Sequence, residues 1–175
     1  MMKTRSLSLL ASLVAASLML GGCGDNQFEQ EVKLEQSAVQ LANETAQGHY
    51  RLMTVAELKG RMDKGEEMVI LDTMPLEASY KKGHIPGAKN FVFVKEAKGS
   101  PVWSDIVEGE GSEAQLLALL GEDKERPLVI YCGFVQCGRS HNAAAWAVQQ
   151  GYRQVYRVPG GIFAWKGAGY PLASD

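Results

Sequence analysis

The residues with the strongest claim to chemistry in this 175-residue chain are consecutive: Cys132-Gly133-Phe134-Val135-Gln136-Cys137-Gly138-Arg139-Ser140. An unbroken apolar run, Leu128 to Tyr131, leads into Cys132, and an alanine-rich segment follows Ser140. That pattern predicts a buried strand, a short loop and the first turn of a helix. A helix N-terminus presents unpaired N–H groups and the positive end of a dipole, both of which favour an anion. The same field favours thiolate over thiol, so Cys132 is expected to be a stronger nucleophile at neutral pH than a free cysteine. Arg139 brings a permanent charge and a planar fork suited to an oxyanion. Gly133 and Gly138 are expected to let the loop backbone turn inward so that its N–H groups converge. Phe134, Val135, Gln136, Cys137 and Ser140 complete the candidate cradle. The alternative for Cys132 is a buried structural cysteine, which the arginine and helix start directly behind it argue against.

Four residues separate Cys132 from Cys137, a spacing that allows the two sulfurs to meet. They could close into a disulfide, pass sulfur between them, or let Cys137 resolve an adduct on Cys132; the bland alternative is a loop cysteine with no role. Cys137-Gly138-Arg139 leaves few amides for a cradle, which argues against Cys137 as the primary nucleophile. His141 and Asp72 are candidates for supporting roles around the loop, Asp72 by holding backbone near a strand end. His84 precedes Ile-Pro-Gly and reads as a structural turn residue, and Trp146 and Trp165 as core or pocket wall.

The elements that must position the loop are legible around it. Tyr50 to Met53 reads as a short strand. Thr54 and Glu57 form a capping box, Met53 and Leu58 a hydrophobic staple, and Gly65 a stop. Met68 to Leu71 is an apolar run closed by Asp72, as expected for a strand covered on both faces. Pro75 to Lys82 reads as a short helix and Asn90 to Val94 as a strand. Ser112 and Gln115 cap a leucine-rich helix stopped by Gly121. A helix from about Arg139 to Gln150 and a strand from Gln154 to Val158 follow. Strands alternating with helices predict an α/β domain around a parallel sheet, whose ligands bind beyond the carboxyl ends of the strands.

With these pieces in place the chain resembles the rhodanese sulfurtransferase family from about Tyr50 to Ala173. The resemblance rests on ILDTMPLEASYKKGHIPGAKNF, from Ile70, and on LVIYCGFVQCGRSHNAAAWAVQQGYRQVYRVPGGIFAWKGAGYPLA, from Leu128. His84-Ile85-Pro86-Gly87-Ala88, Pro159-Gly160-Gly161 with Trp165, and Gly169-Tyr170-Pro171 are specific in combination. The resemblance implies a five-stranded parallel sheet with helices on both faces. It also implies that Cys132 accepts a sulfane sulfur and holds it as a persulfide, cradled by the amides of Gly133 to Arg139 and closed by Arg139. Two departures stand out. Six residues separate Cys132 from Arg139, more than the four of common single-domain sulfurtransferases or the five of the related cell-cycle phosphatases. The usual Asp-x-Arg after the second strand is Asp72-Thr73-Met74, which removes a charge partner.

The first residues read as an address. Lys3 and Arg5 precede an uncharged run, Leu7 to Leu20, too short to span a bilayer and suited to a signal peptide. Leu20-Gly21-Gly22-Cys23 resembles a bacterial lipobox, implying cleavage after residue 22 and lipidation of Cys23. Loss of residues 1–22 would leave 16 basic against 20 acidic side chains, so acyl chains rather than basic patches would hold the membrane. The expected location is the periplasmic side of the cell envelope, where disulfides are allowed. Residues 23–48 are expected to be a polar tether, helical in part, since Leu34, Ala38, Leu41 and Ala42 recur at helical spacing, and residues 49–175 the domain.

With 46% apolar and 22% charged residues and a net charge of −2, the composition is that of an ordinary globular protein without a nucleic-acid footprint. Three cysteines and three histidines do not suggest a zinc site, and no cofactor is expected. The leading reading is a lipid-anchored sulfurtransferase acting on a small sulfur-containing anion or persulfide donor, with a thiol or protein acceptor. A thiol–disulfide protein using Cys132 and Cys137, or a non-catalytic anion- or partner-binding module, stands beside it. Tyr131 in place of histidine before the cysteine argues against a phosphatase.

Overall fold

The computed structural model describes residues 24–175; the expected signal peptide and Cys23 lie outside the described residues. Five parallel strands, β1 (Arg51–Leu52), β2 (Val69–Asp72), β3 (Lys89–Asn90), β4 (Leu128–Tyr131) and β5 (Val155–Val158), form one sheet in the order β1-β5-β4-β2-β3. The helices are α1 (Gly24–Gly48), α2 (Val55–Asp63), α3 (Trp103–Ile106), α4 (Glu113–Leu120), α5 (Arg139–Gln149) and α6 (Gly161–Gly167). The central strands β2, β4 and β5 are buried at every position, which is why they read as apolar runs, broken only by Asp72 at the end of β2 and Arg157 within β5.

Side chains of a strand alternate between its two faces, and the sheet therefore has two cores. Val69, Leu71, Leu128, Ile130 and Val155 pack with α4, with Ile106 of α3 and with the alanines and Trp146 of α5. Ile70, Val129, Tyr131, Tyr156 and Val158 pack on the other face against Leu58 of α2 and Ile162 and Trp165 of α6. Slender alanines let α5 lie close over β4, which brings its N-terminus to the strand's end. Both capping boxes form as expected, Thr54 with Glu57 and Ser112 with Gln115.

Three expectations change. Pro75 to Lys82 is a turn ending in a single 3-10 turn, Tyr80–Lys82. The expected strand Asn90 to Val94 is a strand only at Lys89–Asn90. Beyond it the chain turns to residues 106–108, with an antiparallel bridge between Phe93 and Val107 and Val94 N–H on the Ile106 carbonyl at 2.9 Å, and α5 side chains take carbonyls on its other side. Asn142 Nδ2 donates to the carbonyls of Val94 and Glu96, 3.1 and 2.9 Å away, and Arg139 donates to that of Phe93. The short helices α3 and α6 carry too little periodicity to be read in advance.

The third change is α1. Residues 26–36 are exposed, as a tether would be. From Ser37 onward, however, Ser37, Gln40, Leu41, Glu44, Thr45 and Gly48 form a stripe at helical spacing turned toward the domain. Leu34 of the expected apolar stripe points to solvent. The docked stripe is polar, which hides it from a search for apolar periodicity. Its centre is Glu44, buried and ion-paired with Arg157 of β5, whose side chain is fully buried. No helix among the described residues is long and apolar enough to cross a membrane. Removing one partner of a buried ion pair strands the other charge in a medium that cannot solvate it. Glu44→Ala is expected to lower unfolding stability by about 3–5 kcal/mol, read by urea titration of the full chain.

Candidate active site

β4 ends at Tyr131, and Cys132 is the next residue. Its carbonyl accepts Ile162 N–H at 2.9 Å, and the Gly133 carbonyl accepts Phe163 N–H at 3.0 Å, so α6 is seated directly on the cysteine's backbone. Gly161 has φ +52°, and a Cβ there would lie 2.1 Å from the Cys132 oxygen. Only glycine fits that contact.

Cys132 Sγ is fully buried, 3.1 Å from Ser140 Oγ and 3.2 Å from the carbonyl oxygen of Cys137. Burial pushes its thiol well above the ordinary range, and the neighbouring Cys137 side chain pushes it further. The nearby carbonyl oxygen also faces any charge on this sulfur. Cys137 shifts the other way: the Cys132 side chain first, then the backbone of Arg139 and Gly133 and the Arg139 charge, favour its ionised form and pull it below the ordinary thiol range against its burial. This corrects the expectation for Cys132: of the two neighbouring thiols, Cys137 is the one whose ionisation is favoured.

Arg139 does not close the cradle. Its guanidinium donates to the Phe93 carbonyl and pairs with Glu108, holding the 93–98 segment across the start of α5. Gly138 also departs from its expected reason. Its backbone is ordinary right-handed helical, and what requires glycine is the close crossing of that segment, since a Cβ would meet Ala97 N at 2.2 Å. The amide of Gly138 is spent on the Lys95 carbonyl and that of Cys137 on the Phe134 carbonyl.

The residue missed from sequence is Arg157. On β5 it lies two residues from Val155 and so faces the α5 side. Nε donates to Ser140 Oγ at 2.9 Å, Nη1 to Glu44 and to Tyr50 Oη at 3.0 Å, and Nη2 to the carbonyls of Val135 and Cys137 at 3.1 and 3.2 Å. The loop is thus wrapped around a guanidinium, with two carbonyls turned inward, and Arg157 reaches Cys132 through Ser140. A charge inside the otherwise apolar Val-Tyr-Arg-Val strand was the signal that could have revealed it.

The remaining candidates fall around this centre. Asp72 accepts Met74 N–H at 2.8 Å, as expected of a backbone-holding residue, and burial raises its carboxyl to about 6. With the arginine of the usual pattern absent, the Met74 N–H and the Tyr131 side chain are what oppose that rise. The Met74 side chain lies against Gly133. His141 does not touch either sulfur. Its Nε2 meets the Lys98 carbonyl at 3.2 Å, which requires the proton there, so Nδ1 accepts from Tyr50 Oη at 2.9 Å. Burial lowers its pKa and keeps the ring neutral. Gln136 Nε2 donates to Ser37 Oγ of α1 at 3.0 Å, and Phe134 stands partly exposed beside Phe163, ring centroids 5.6 Å apart. His84 is structural as expected, bonded to the Tyr80 carbonyl and stacked on the Tyr80 ring.

A thiol at the carboxyl end of a central parallel strand, beneath the first turn of the following helix, is the arrangement that the family resemblance implied. The rhodanese-like domain matches residues 54–168. The chain belongs to the rhodanese-like domain family. The rhodanese-like domain-containing protein 14 of Arabidopsis thaliana chloroplasts is 29% identical over 136 residues, covering 64% of this chain and 60% of its own length. The chain thus spans less than two thirds of that relative. The thiosulfate sulfurtransferase GlpE of Pseudoalteromonas translucida is 28% identical over 120 residues, 68% of this chain and 91% of its own. The polysulfide-sulfur transferase of Wolinella succinogenes shares the fold, with a TM-score of 0.54 at 17% identity over 86% of this chain and 92% of its own.

The opposite shifts of the two thiols set a titration order. Cys137, lowered, ionises first as pH rises, and Cys132, raised, keeps its proton through that range. Ultraviolet thiolate absorbance is expected to show a first step below the ordinary thiol range, about 8.5, that is lost in Cys137→Ala. Cys132→Ala should move that step upward, because the strongest donor to Cys137 is gone. A first step retained in Cys137→Ala would reverse the order.

Proposed function

We propose that the chain is a sulfurtransferase that takes sulfane sulfur from thiosulfate, a persulfide or a polysulfide, carries it on Cys132 as a persulfide, and yields it to a thiol. The observation that carries this reading is the pair of buried free thiols, Cys132 and Cys137, at the end of β4 in a member of the rhodanese-like family. Relatives named as sulfurtransferases support it.

Cys132 is a weak nucleophile while protonated, and Cys137 is the base beside it. As Cys132 Sγ attacks the sulfane sulfur of thiosulfate, its proton passes to the Cys137 thiolate. The new bond is Cys132 Sγ–S, the bond broken is that to the sulfonate, and sulfite leaves with the electron pair. Ser140, oriented by Arg157, holds Sγ through its hydroxyl and N–H. The outer sulfur carries the negative charge, and the amides of Gly133 and Arg139, freed as Cys137 takes the proton, are the donors for it. Phe134 and Phe163 form an apolar rim beside the loop. We place the protein in the cell envelope, held by a lipid on Cys23.

The test is intact mass of the reduced, air-free full chain before and after thiosulfate or polysulfide. An adduct of about 32 Da on Cys132, removed by cyanide and absent from Cys132→Ser, is the expected result during the first turnover. An adduct that Cys132→Ser carries on Cys137 would reassign the sulfur-bearing residue. No adduct and no sulfite from either donor would overturn the activity.

A further inference from the structure

We infer that Cys137 is the acceptor for the Cys132 persulfide: it attacks the inner sulfur, closes a Cys132–Cys137 disulfide and expels the transferred sulfur as hydrosulfide. This rests on the sulfurtransferase reading and names the thiol that reading leaves open. In the step, Cys137 Sγ bonds Cys132 Sγ and the inner–outer sulfur bond breaks. The outer sulfur leaves with the electron pair and the proton that Cys137 carried. The sulfane sulfur is reduced by two electrons and the two cysteines are oxidised by two. No other reactant is needed until an external dithiol reduces the disulfide and resets the site.

Two observations converge on this step. Cys137 is pinned against its partner, its carbonyl 3.2 Å from Cys132 Sγ and 3.2 Å from Arg157 Nη2, and its N–H on the Phe134 carbonyl at 3.0 Å. A thiol held this way acts at an effective concentration that no dissolved thiol reaches. Both cysteines are also closed off, with 0% and 2% of their surface exposed. An outside thiol must open the loop to reach the persulfide, whereas Cys137 is inside with it and hydrosulfide is small enough to escape. Attack on the outer sulfur would merely move the persulfide; the sulfur that Cys137 already touches, through its carbonyl oxygen, is the inner one.

The experiment is a single turnover of the reduced, air-free full chain with one equivalent of thiosulfate and no added thiol, following sulfite, hydrosulfide and intact mass together. The wild type is expected to release sulfite, then an equal amount of hydrosulfide, and to finish about 2 Da lighter. Cys137→Ser, which also lacks the base for loading, is expected to load slowly and, once loaded, to stay about 32 Da heavier, with hydrosulfide at background until an external thiol is added. A wild type that releases sulfite yet stays 32 Da heavier, wherever the sulfur maps, overturns the inference and leaves the sulfurtransferase reading standing. A wild type that yields neither sulfite nor adduct overturns both. Loss of about 2 Da without sulfite also overturns both, because the pair then works as a plain thiol–disulfide couple. The wild-type arm decides the matter even if the serine variant does not fold.

Discussion

The site depends on one buried guanidinium. Arg157 carries a full charge on a central strand, under a loop and a helix that exclude water. Such a charge is tolerated only where its donors all find acceptors, and the surrounding structure is organised to supply them. Glu44 neutralises it, Tyr50 takes one N–H, Ser140 takes another, and the loop turns two carbonyls toward it. Each acceptor comes from a different part of the chain: α1, the residue before β1, the start of α5 and the cysteine loop. Satisfying one cation therefore fixes the loop's shape, docks α1, and orients the hydroxyl that touches Cys132.

That constraint accounts for the division of labour between the cysteines. The Cys137 carbonyl is drawn inward by Arg157 and in consequence lies against Cys132 Sγ, where an oxygen opposes negative charge. The backbone at the two ends of the loop, at Gly133 and Arg139, favours the ionised form of Cys137 instead. A loop with six residues between Cys132 and Arg139 has room to carry a second thiol into the cradle. Arg139, displaced from the cradle, secures the segment that crosses it, and its charge still acts on Cys137 through space. The same residues that resemble the family's loop thus make a different electrostatic arrangement, in which the second thiol is favoured to ionise over the first.

The scaffold around this arrangement is held by close contacts more than by loop length. α6 sits on the Cys132 and Gly133 carbonyls because Gly161 leaves no side chain in the way, and the 95–97 segment crosses α5 because Gly138 does the same. Residues 92–94 pair with 106–108, and Asn142 and Arg139 hold the carbonyls of Phe93, Val94 and Glu96 with side-chain donors. α1 reaches the loop directly as well, through Ser37 and Gln136. A helix that would otherwise be only a spacer from Cys23 is in contact with the reactive loop at one point and with its supporting cation at another.

The parallel sheet, its two covered faces, both capping boxes and the place of the reactive loop were legible in the residues alone. Each is a local matter: apolar runs of strand length, Thr54 three residues before Glu57, a cysteine between a strand and a helix start. The family resemblance added the strand count and the chemistry to look for. Which sulfur ionises, where Arg139 points and what α1 does were decided only in three dimensions. Hydrogen bonds between residues far apart in sequence set all three, and no periodicity records them. The Glu44–Arg157 pair spans 113 positions, and the Tyr50–Arg157 bond 107. A buried polar group is chosen to match its partners, and those partners exist as neighbours only once the chain has folded.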